Sequence, residues 1–220
     1  MRNRDLLREK MGVYFVIGSQ DCDFSVERTV EIVREALKGG VGTLQLRDKG
    51  SKLTAEERFE LGRQMQALCR EYSALFFVND DVEMAVRLGA DGIHVGQDDM
   101  HLRDVREIVG PDMYIGVSTA TVEEAVNAQR DGTDCIGVGA MFATSSKADA
   151  GEPIGPAAIT TIREAVGNKL PIVGIGGITQ ENAVLVMKAG ADGVAVISAI
   201  SRAESPKDAA ESLQQIVRSV

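Results

Sequence analysis

Several short polar clusters in this 220-residue chain combine cations, carboxylates and hydroxyls. Arg47, Asp48 and Lys49 stand together, with Gln45 just before them. Asn79, Asp80 and Asp81 form a second cluster, and Gln97, Asp98 and Asp99 a third. Ser118 and Thr119 follow, then Thr144, Ser145, Ser146 and Lys147, then Gly176 and Gly177, and finally Ser198. Arg47, Lys49 and Lys147 supply positive charge. Asp80 or Asp81, with Asp98 or Asp99, supply hard oxygen ligands. Carboxylates beside a bound polyphosphate are the usual way to hold Mg2+, which takes few protein ligands. Gly176, Gly177 and Ser198 supply N–H groups and a hydroxyl at helix starts, where phosphate is bound by free donors and the helix dipole. Together these residue types suit two anionic groups: a phosphate near the last clusters, and a metal-bridged diphosphate among the earlier ones.

Each cluster also has a structural reading. Arg47-Asp48-Lys49 and Lys147 suit solvated loops. Either aspartate of each acidic pair suits a helix cap. Met141 and Phe142 suit core packing as well as a pocket wall. His94 and His101 have no Cys or second His at metal-ligand spacing and read as structural. No G-x-S-x-G is present, so a hydrolase nucleophile elbow is not indicated.

The elements between the clusters explain why they belong together. Eight apolar, β-rich runs can be read: Val13–Ile17, Thr43–Leu46, Leu75–Val78, Gly92–Val95, Tyr114–Val117, Cys135–Val138, Ile172–Ile175 and Val194–Ile197. Near-continuous apolar runs suit parallel strands covered by helices. Helical periods separate them, as in Val26, Val30, Val33 and Leu37. Thr54 with Glu57 and Thr121 with Glu124 are capping-box patterns, and Ser205-Pro206 is an N-cap followed by proline. Gly89-Ala90-Asp91-Gly92 recurs as Gly190-Ala191-Asp192-Gly193, with Asp131-Gly132-Thr133-Asp134 a looser copy. Glycine there ends a helix in the left-handed conformation before the next strand. Eight such units in 220 residues predict one (β/α)8 TIM barrel spanning residues 1–220, with residues 1–10 as an N-terminal capping helix. The alternative is a doubly wound open sheet. Gly174-Ile175-Gly176-Gly177 does not favour it, because Thr179 stands where the third glycine of G-x-G-x-x-G belongs. In a barrel the residues after each strand gather at one rim, and every polar cluster above follows a strand.

Composition narrows the function. The net charge of −9 argues against a nucleic-acid surface, although a local basic pocket can still focus a small anion. No apolar run approaches the roughly 20 residues of a membrane span, and Met1 to Lys10 lack the apolar core of a secretory signal. Cys22, Cys69 and Cys135 are far apart and predict free thiols in a reducing cytoplasm. Two small phosphorylated molecules are the expected partners. Nucleic acid and membrane are not, and self-association stays open.

The motifs resemble those of thiamine-phosphate synthases over nearly the whole chain. The resemblance is carried by Gln45-Leu46-Arg47-Asp48-Lys49, Val78-Asn79-Asp80-Asp81-Val82 and Gly92 to Asp99. Gly116-Val117-Ser118, Thr144-Ser145-Ser146-Lys147, Pro171 to Ile178 and Val196 to Ile200 extend it. It implies a Mg2+-dependent transferase that joins 4-amino-5-hydroxymethyl-2-methylpyrimidine diphosphate to a thiazole phosphate, or its carboxylated form, with release of pyrophosphate. It implies that Gln45, Arg47, Lys49, Asn79, Ser118 and Lys147 hold the pyrimidine diphosphate. Asp80 and Asp99 would hold Mg2+. Thr144, Ser145, Ser146, Gly177, Ile197 and Ser198 would hold the thiazole phosphate. Arg47, Lys49, Ser118 and Lys147 would be catalytic, and the reaction would pass through a pyrimidine cation. Two features depart from the family pattern: Gly139-Ala140-Met141-Phe142-Ala143 stands where prolines are common, and Ser146 where threonine is commoner. Both keep a small residue or hydroxyl. The loop around Ser146 to Glu152 is a candidate lid.

Overall fold

Strands that are apolar at every position must be covered on both faces. The computed structural model, which describes residues 2–147 and 150–220, shows how. The strands are β1 (Val13–Ile17), β2 (Thr43–Leu46), β3 (Leu75–Asn79), β4 (Gly92–Val95), β5 (Tyr114–Thr119), β6 (Cys135–Val138), β7 (Ile172–Ile175) and β8 (Gly193–Val196). They pair in parallel in sequence order, and β8 closes on β1. The helices are α1 (Arg4–Lys10), α2 (Val26–Lys38), α3 (Ala55–Glu71), α4 (Val82–Leu88), α5 (Leu102–Val109), α6 (Val122–Arg130), α7 (Ala157–Val166), α8 (Ala183–Lys188), α9 (Ser198–Ser201) and α10 (Pro206–Arg218). This is the expected (β/α)8 barrel.

Most local signals act as read. Thr54 with Glu57 and Thr121 with Glu124 form reciprocal capping boxes, and Ser205 caps α10 ahead of Pro206. Four boundaries differ, one of them the start of β8 at Gly193. β3 reaches Asn79 and β5 reaches Thr119. Ile197 is not in β8, because the backbone turns there (φ −115°, ψ −81°) and Ile197 becomes the N-cap of α9. Nor does Asp98 or Asp99 cap α5; His101 does, accepting from the Arg103 N–H.

Alternation along each strand sorts the apolar residues into two cores. Val13, Phe15, Ile17, Phe76 and Val78 face outward and pack under the helices. Tyr14, Val16, Phe77, Tyr114, Cys135 and Val173 fill the barrel interior. The interior is tight. The Phe77 ring stacks 6.4 Å from Tyr114, and a Cβ at Gly92 would lie 2.3 Å from that ring. Leu7 of α1 and Met11 join the same interior core. So α1 covers the N-terminal mouth; Met1 lies outside the described residues. Among the described residues, this filling leaves the other end as the open one.

The glycine–aspartate repeat has a second role. Asp91, Asp134 and Asp192 each accept a hydrogen bond from a strand N–H, of Phe76, Ile115 and Ile172 respectively. Arg106 of α5 reaches Asp134 at 2.8 Å, and Arg163 of α7 reaches Asp192 at 2.6 Å. Arg2 adds a second guanidinium to Asp134 at 2.7 Å. Asp134 is buried, so truncating it strands an arginine and a backbone donor together. Asp134→Ala is expected to cost about 2 kcal/mol or more, lowering the melting temperature by roughly 4–8 °C. The exposed Glu107→Ala on α5 should shift it by about 1 °C at most. Equal melting temperatures for the two variants would contradict this reading.

Candidate active site

The C-terminal ends of the strands open into a cavity of about 460 Å³. Its wall takes Arg47 and Lys49 after β2, Asn79 and Asp80 at the end of β3, and Gly96, Gln97, Asp98 and Asp99 after β4. Ser118 comes from β5, Thr144, Ser146 and Lys147 from the loop after β6, Gly177 from the turn after β7, and Ile197 and Ser198 from the start of α9. The clusters read from the sequence therefore converge on one space.

Backbone contacts fix the loop after β2. Gln20 donates to the Arg47 carbonyl at 2.7 Å, and a Cβ at Gly18 would lie 2.1 Å from that oxygen. Arg47 and Lys49 line the cavity while Asp48 does not, as expected where neighbouring residues of extended chain alternate. Lys49 Nζ meets Asp80 Oδ2 at 2.6 Å. Asp80 has a left-handed backbone (φ 58°), which aspartate tolerates better than most residues. The next residue, Asp81, caps α4 by accepting from the Met84 N–H. Burial raises the Asp80 pKa. The Lys49 ammonium works against this rise, and the neighbouring Asp99 carboxylate adds to it. Asp99 also accepts from the Gly96 N–H at 2.8 Å.

Ser118 is supported from two directions. His94 Nε2 lies 2.9 Å from its hydroxyl, and Gln97 donates to its carbonyl at 2.6 Å. Burial, with Lys147 second, lowers the His94 pKa to about 3, so the imidazole is neutral at ordinary pH. Gly116 makes room for it, since a Cβ there would lie 2.5 Å from His94 Nδ1. His94 thus has the structural role expected of it, and that role is directly beneath a cavity residue.

The opposite wall is built for close backbone approach. Gly176 and Gly177 are both left-handed (φ 102° and 64°), and a Cβ at Gly177 would lie 2.5 Å from the Ala143 carbonyl oxygen. Asn182 holds this turn, donating to the Gly177 carbonyl at 3.0 Å and accepting from the Thr179 N–H. Ser146 Oγ reaches Ser198 Oγ at 3.2 Å, and its N–H donates to Thr144 Oγ1. Three loops therefore present hydroxyls and a glycine N–H to a small volume, a suitable cradle for phosphate.

Two expected site residues stand elsewhere. Gln45 is 3% exposed inside the barrel, donates to the Tyr14 hydroxyl at 2.8 Å, and is not in the cavity wall. Ser145 is exposed and likewise outside the wall. Met141 is in the outer core, with Phe142 packed against it. Of the candidate lid, Lys147, Ala150, Gly151 and Glu152 line the cavity, while Ala148 and Asp149 lie outside the described residues. Glu124, Ile175 and Ala195 also line it without having been singled out as site residues. Glu124 was legible only as a capping residue, and it does cap α6. Ile175 and Ala195 read as strand core.

The wall's described residues include five carboxylates (Asp80, Asp98, Asp99, Glu124, Glu152) against three cations (Arg47, Lys49, Lys147). Among the described residues no three His, Cys, Asp or Glu gather as a metal cage. A cation that keeps most of its waters needs no cage. Burial and the neighbouring Asp99 raise the Asp80 pKa, a setting that a divalent cation relieves, so this pair of side chains suits Mg2+.

Comparison with known proteins adds independent findings. The family model described as "Thiamine monophosphate synthase" matches residues 13–200. The thiamine-phosphate synthase of Geobacillus kaustophilus is 50% identical over 213 residues, covering 96% of this chain and 94% of that protein. That of Bacillus cereus (strain 03BB102) is 46% identical, covering 99% and 98%. The solved thiamine phosphate pyrophosphorylase of Pyrococcus furiosus superposes with a TM-score of 0.85 at 40% identity, covering 97% and 98%.

The left-handed turn at Gly177 yields a direct test. Gly177→Ala combines an unfavourable φ with a contact to the Ala143 carbonyl, and is expected to weaken binding of a phosphorylated ligand at least ~10-fold in a calorimetric titration. Ser145→Ala, outside the wall, should change binding less than about twofold. Comparable losses in both variants would contradict the placement of the phosphate.

Proposed function

The chain belongs to the thiamine monophosphate synthase family, and on that premise we propose how its rim performs the joining reaction. It is a transferase acting on two small phosphorylated molecules. The observation that carries the reading is the division of one cavity into a cationic, carboxylate-bearing wall and a glycine–hydroxyl wall. The first suits the diphosphate of 4-amino-5-hydroxymethyl-2-methylpyrimidine, and the second the phosphate of a thiazole or its carboxylated form.

Arg47, Lys49 and Lys147 hold the diphosphate oxygens, and Asn79 and Ser118 direct the remainder of the pyrimidine substrate. Asp80 and Asp99 would hold Mg2+, which neutralises charge on the leaving diphosphate. The pyrimidine amino group donates electrons through the ring as the methylene carbon–oxygen bond breaks, and pyrophosphate leaves with that electron pair. The thiazole nitrogen then attacks the methylene carbon. No proton must be removed from the nucleophile, which agrees with a site where the nearest imidazole is buried beneath Ser118. Thr144, Ser146, Gly177 and Ser198 hold the thiazole phosphate and so align the attacking nitrogen. The cations act by electrostatic stabilisation of the departing group. Gln45 would act through the barrel interior, by its bond to Tyr14. Three buried free thiols, Cys22, Cys69 and Cys135, suit a reducing cytoplasm, and no helix among the described residues is long and apolar enough to cross a membrane.

A rival within the same fold is an isomerase that binds one phosphate and no diphosphate. The cationic wall facing two carboxylates favours the synthase. Given both substrates and Mg2+, the purified protein is expected to form thiamine phosphate. Lys147→Ala and Asp80→Ala should each lower kcat at least ~100-fold while changing the Kd for thiazole phosphate less than about twofold. Wild-type turnover in either variant would contradict the assigned roles.

A further inference from the structure

Lys49 and Asp80 stand on different loops, yet their charged atoms meet at 2.6 Å. Their chain neighbours, Asp48 and Asp81, are tied together as well. Arg58, in the first turn of α3, places Nε 3.3 Å from Asp48 Oδ2 and a terminal nitrogen 3.7 Å from Asp81 Oδ2. None of these three residues is in the cavity wall. We propose that Arg58 is a positioning residue of the diphosphate subsite, bridging Asp48 and Asp81 so that Lys49 and Asp80 are held at their working separation. The inference rests on the reading of that wall as the diphosphate subsite.

The geometry of each attachment supports a relay. Asp48 has a side chain only 1% exposed, and its other oxygen accepts from the Ser19 N–H at 2.7 Å and the Ser19 hydroxyl at 2.5 Å. It is therefore fixed to the loop after β1, and it carries Arg47 and Lys49 on either side. A buried carboxylate needs a countercharge, and Arg58 supplies it. Asp81 follows the left-handed Asp80 and caps α4, so a tether on Asp81 also steadies the turn that aims Asp80. Arg58 is 31% exposed, held by its stem on a 17-residue helix. A guanidinium suits this bridge, because its delocalised charge faces two carboxylates at once; these contacts are ion pairs, with no hydrogen bond at Arg58 Nε or Asp48 Oδ2. Pre-positioned cations spare the diphosphate the entropy of ordering them. The thiazole-phosphate wall gains nothing from the bridge, since Gly177, Ser146 and Ser198 hang on other loops.

Arg58→Met keeps the aliphatic stem and removes the bridge; Arg58→Gln, read in parallel, guards against a folding defect in either variant. Steady-state kinetics of the full chain are measured for both substrates, with a calorimetric Kd for thiazole phosphate, in the wild-type and Lys49→Ala backgrounds. The expected result is a KM for the pyrimidine diphosphate raised roughly five- to tenfold, with the thiazole-phosphate Kd within about twofold. In the Lys49→Ala background the same Arg58 change should have a smaller effect, because the arm through Asp48 then has no ammonium to position while the arm through Asp81 remains. An unchanged KM, an equal fold-change in both backgrounds, or an equal loss of thiazole-phosphate affinity would overturn the proposal. Wild-type turnover separates the two levels: with it, those results remove only the role of Arg58; without it, the diphosphate reading and this inference fall together.

Discussion

Parallel closure is the constraint on which the rest of this structure depends. Eight parallel strands pairing in sequence order must all end on the same rim. Polar clusters from Arg47 to Ser198 are thereby brought around one opening, Thr144 to Lys147 by the longer segment between β6 and α7 and the others close to their strand ends. The filling of the barrel completes the arrangement. Aromatic residues Tyr14, Phe77 and Tyr114 occupy the lower interior, and α1 seals the mouth beneath them with Leu7 and Met11. Side chains fill that interior, and the described cavity residues stand at the open end. Stability and function are accordingly segregated. The Asp134 and Asp192 hubs tie strand starts to helix ends at the closed end, and the titratable groups of the cavity stand at the other.

Electrostatics at the open end are unusual for an anion site. Carboxylates outnumber cations among the described wall residues, in a protein already at −9. A diphosphate entering such a space gains from Arg47, Lys49 and Lys147 but is opposed by Asp80 and its neighbours. On the proposed reading, a divalent cation held by Asp80 and Asp99 would offset that opposition. The glycine–hydroxyl wall needs no such help, since hydroxyls and N–H groups carry no opposing charge. One pocket would then serve two unlike phosphorylated molecules by different physical means.

Much of this was legible in the sequence, and the exceptions follow a rule. Apolar runs bounded by glycine gave the strands to within a residue or two, because parallel strands buried on both faces leave a continuous signal. Residues that follow a strand, such as Asp80 and Lys147, line the cavity. Gln45, which the resemblance assigns to the pyrimidine diphosphate, lies inside the barrel, where its amide donates to the Tyr14 hydroxyl. Ile197 read as strand because it is apolar, whereas its backbone turns to start α9. Arg58 gave no signal, since an arginine in the first turn of a helix looks like surface until folding brings Asp48 and Asp81 to it. His94 reads as structural, and the sequence does not show that its imidazole meets the Ser118 hydroxyl. Pair contacts across elements are the information that local pattern lacks.

The measurement that bears most directly on the central claim is the amount of thiamine phosphate and pyrophosphate formed from both purified substrates, with Mg2+ and with EDTA. Two anion sites on one rim predict equimolar products with Mg2+ and almost none with EDTA. Product formation undiminished by EDTA would contradict the assignment of Asp80 and Asp99 to a metal. Absence of product under both conditions, with thiazole phosphate still bound, would contradict the diphosphate wall and leave a barrel that binds a single phosphate.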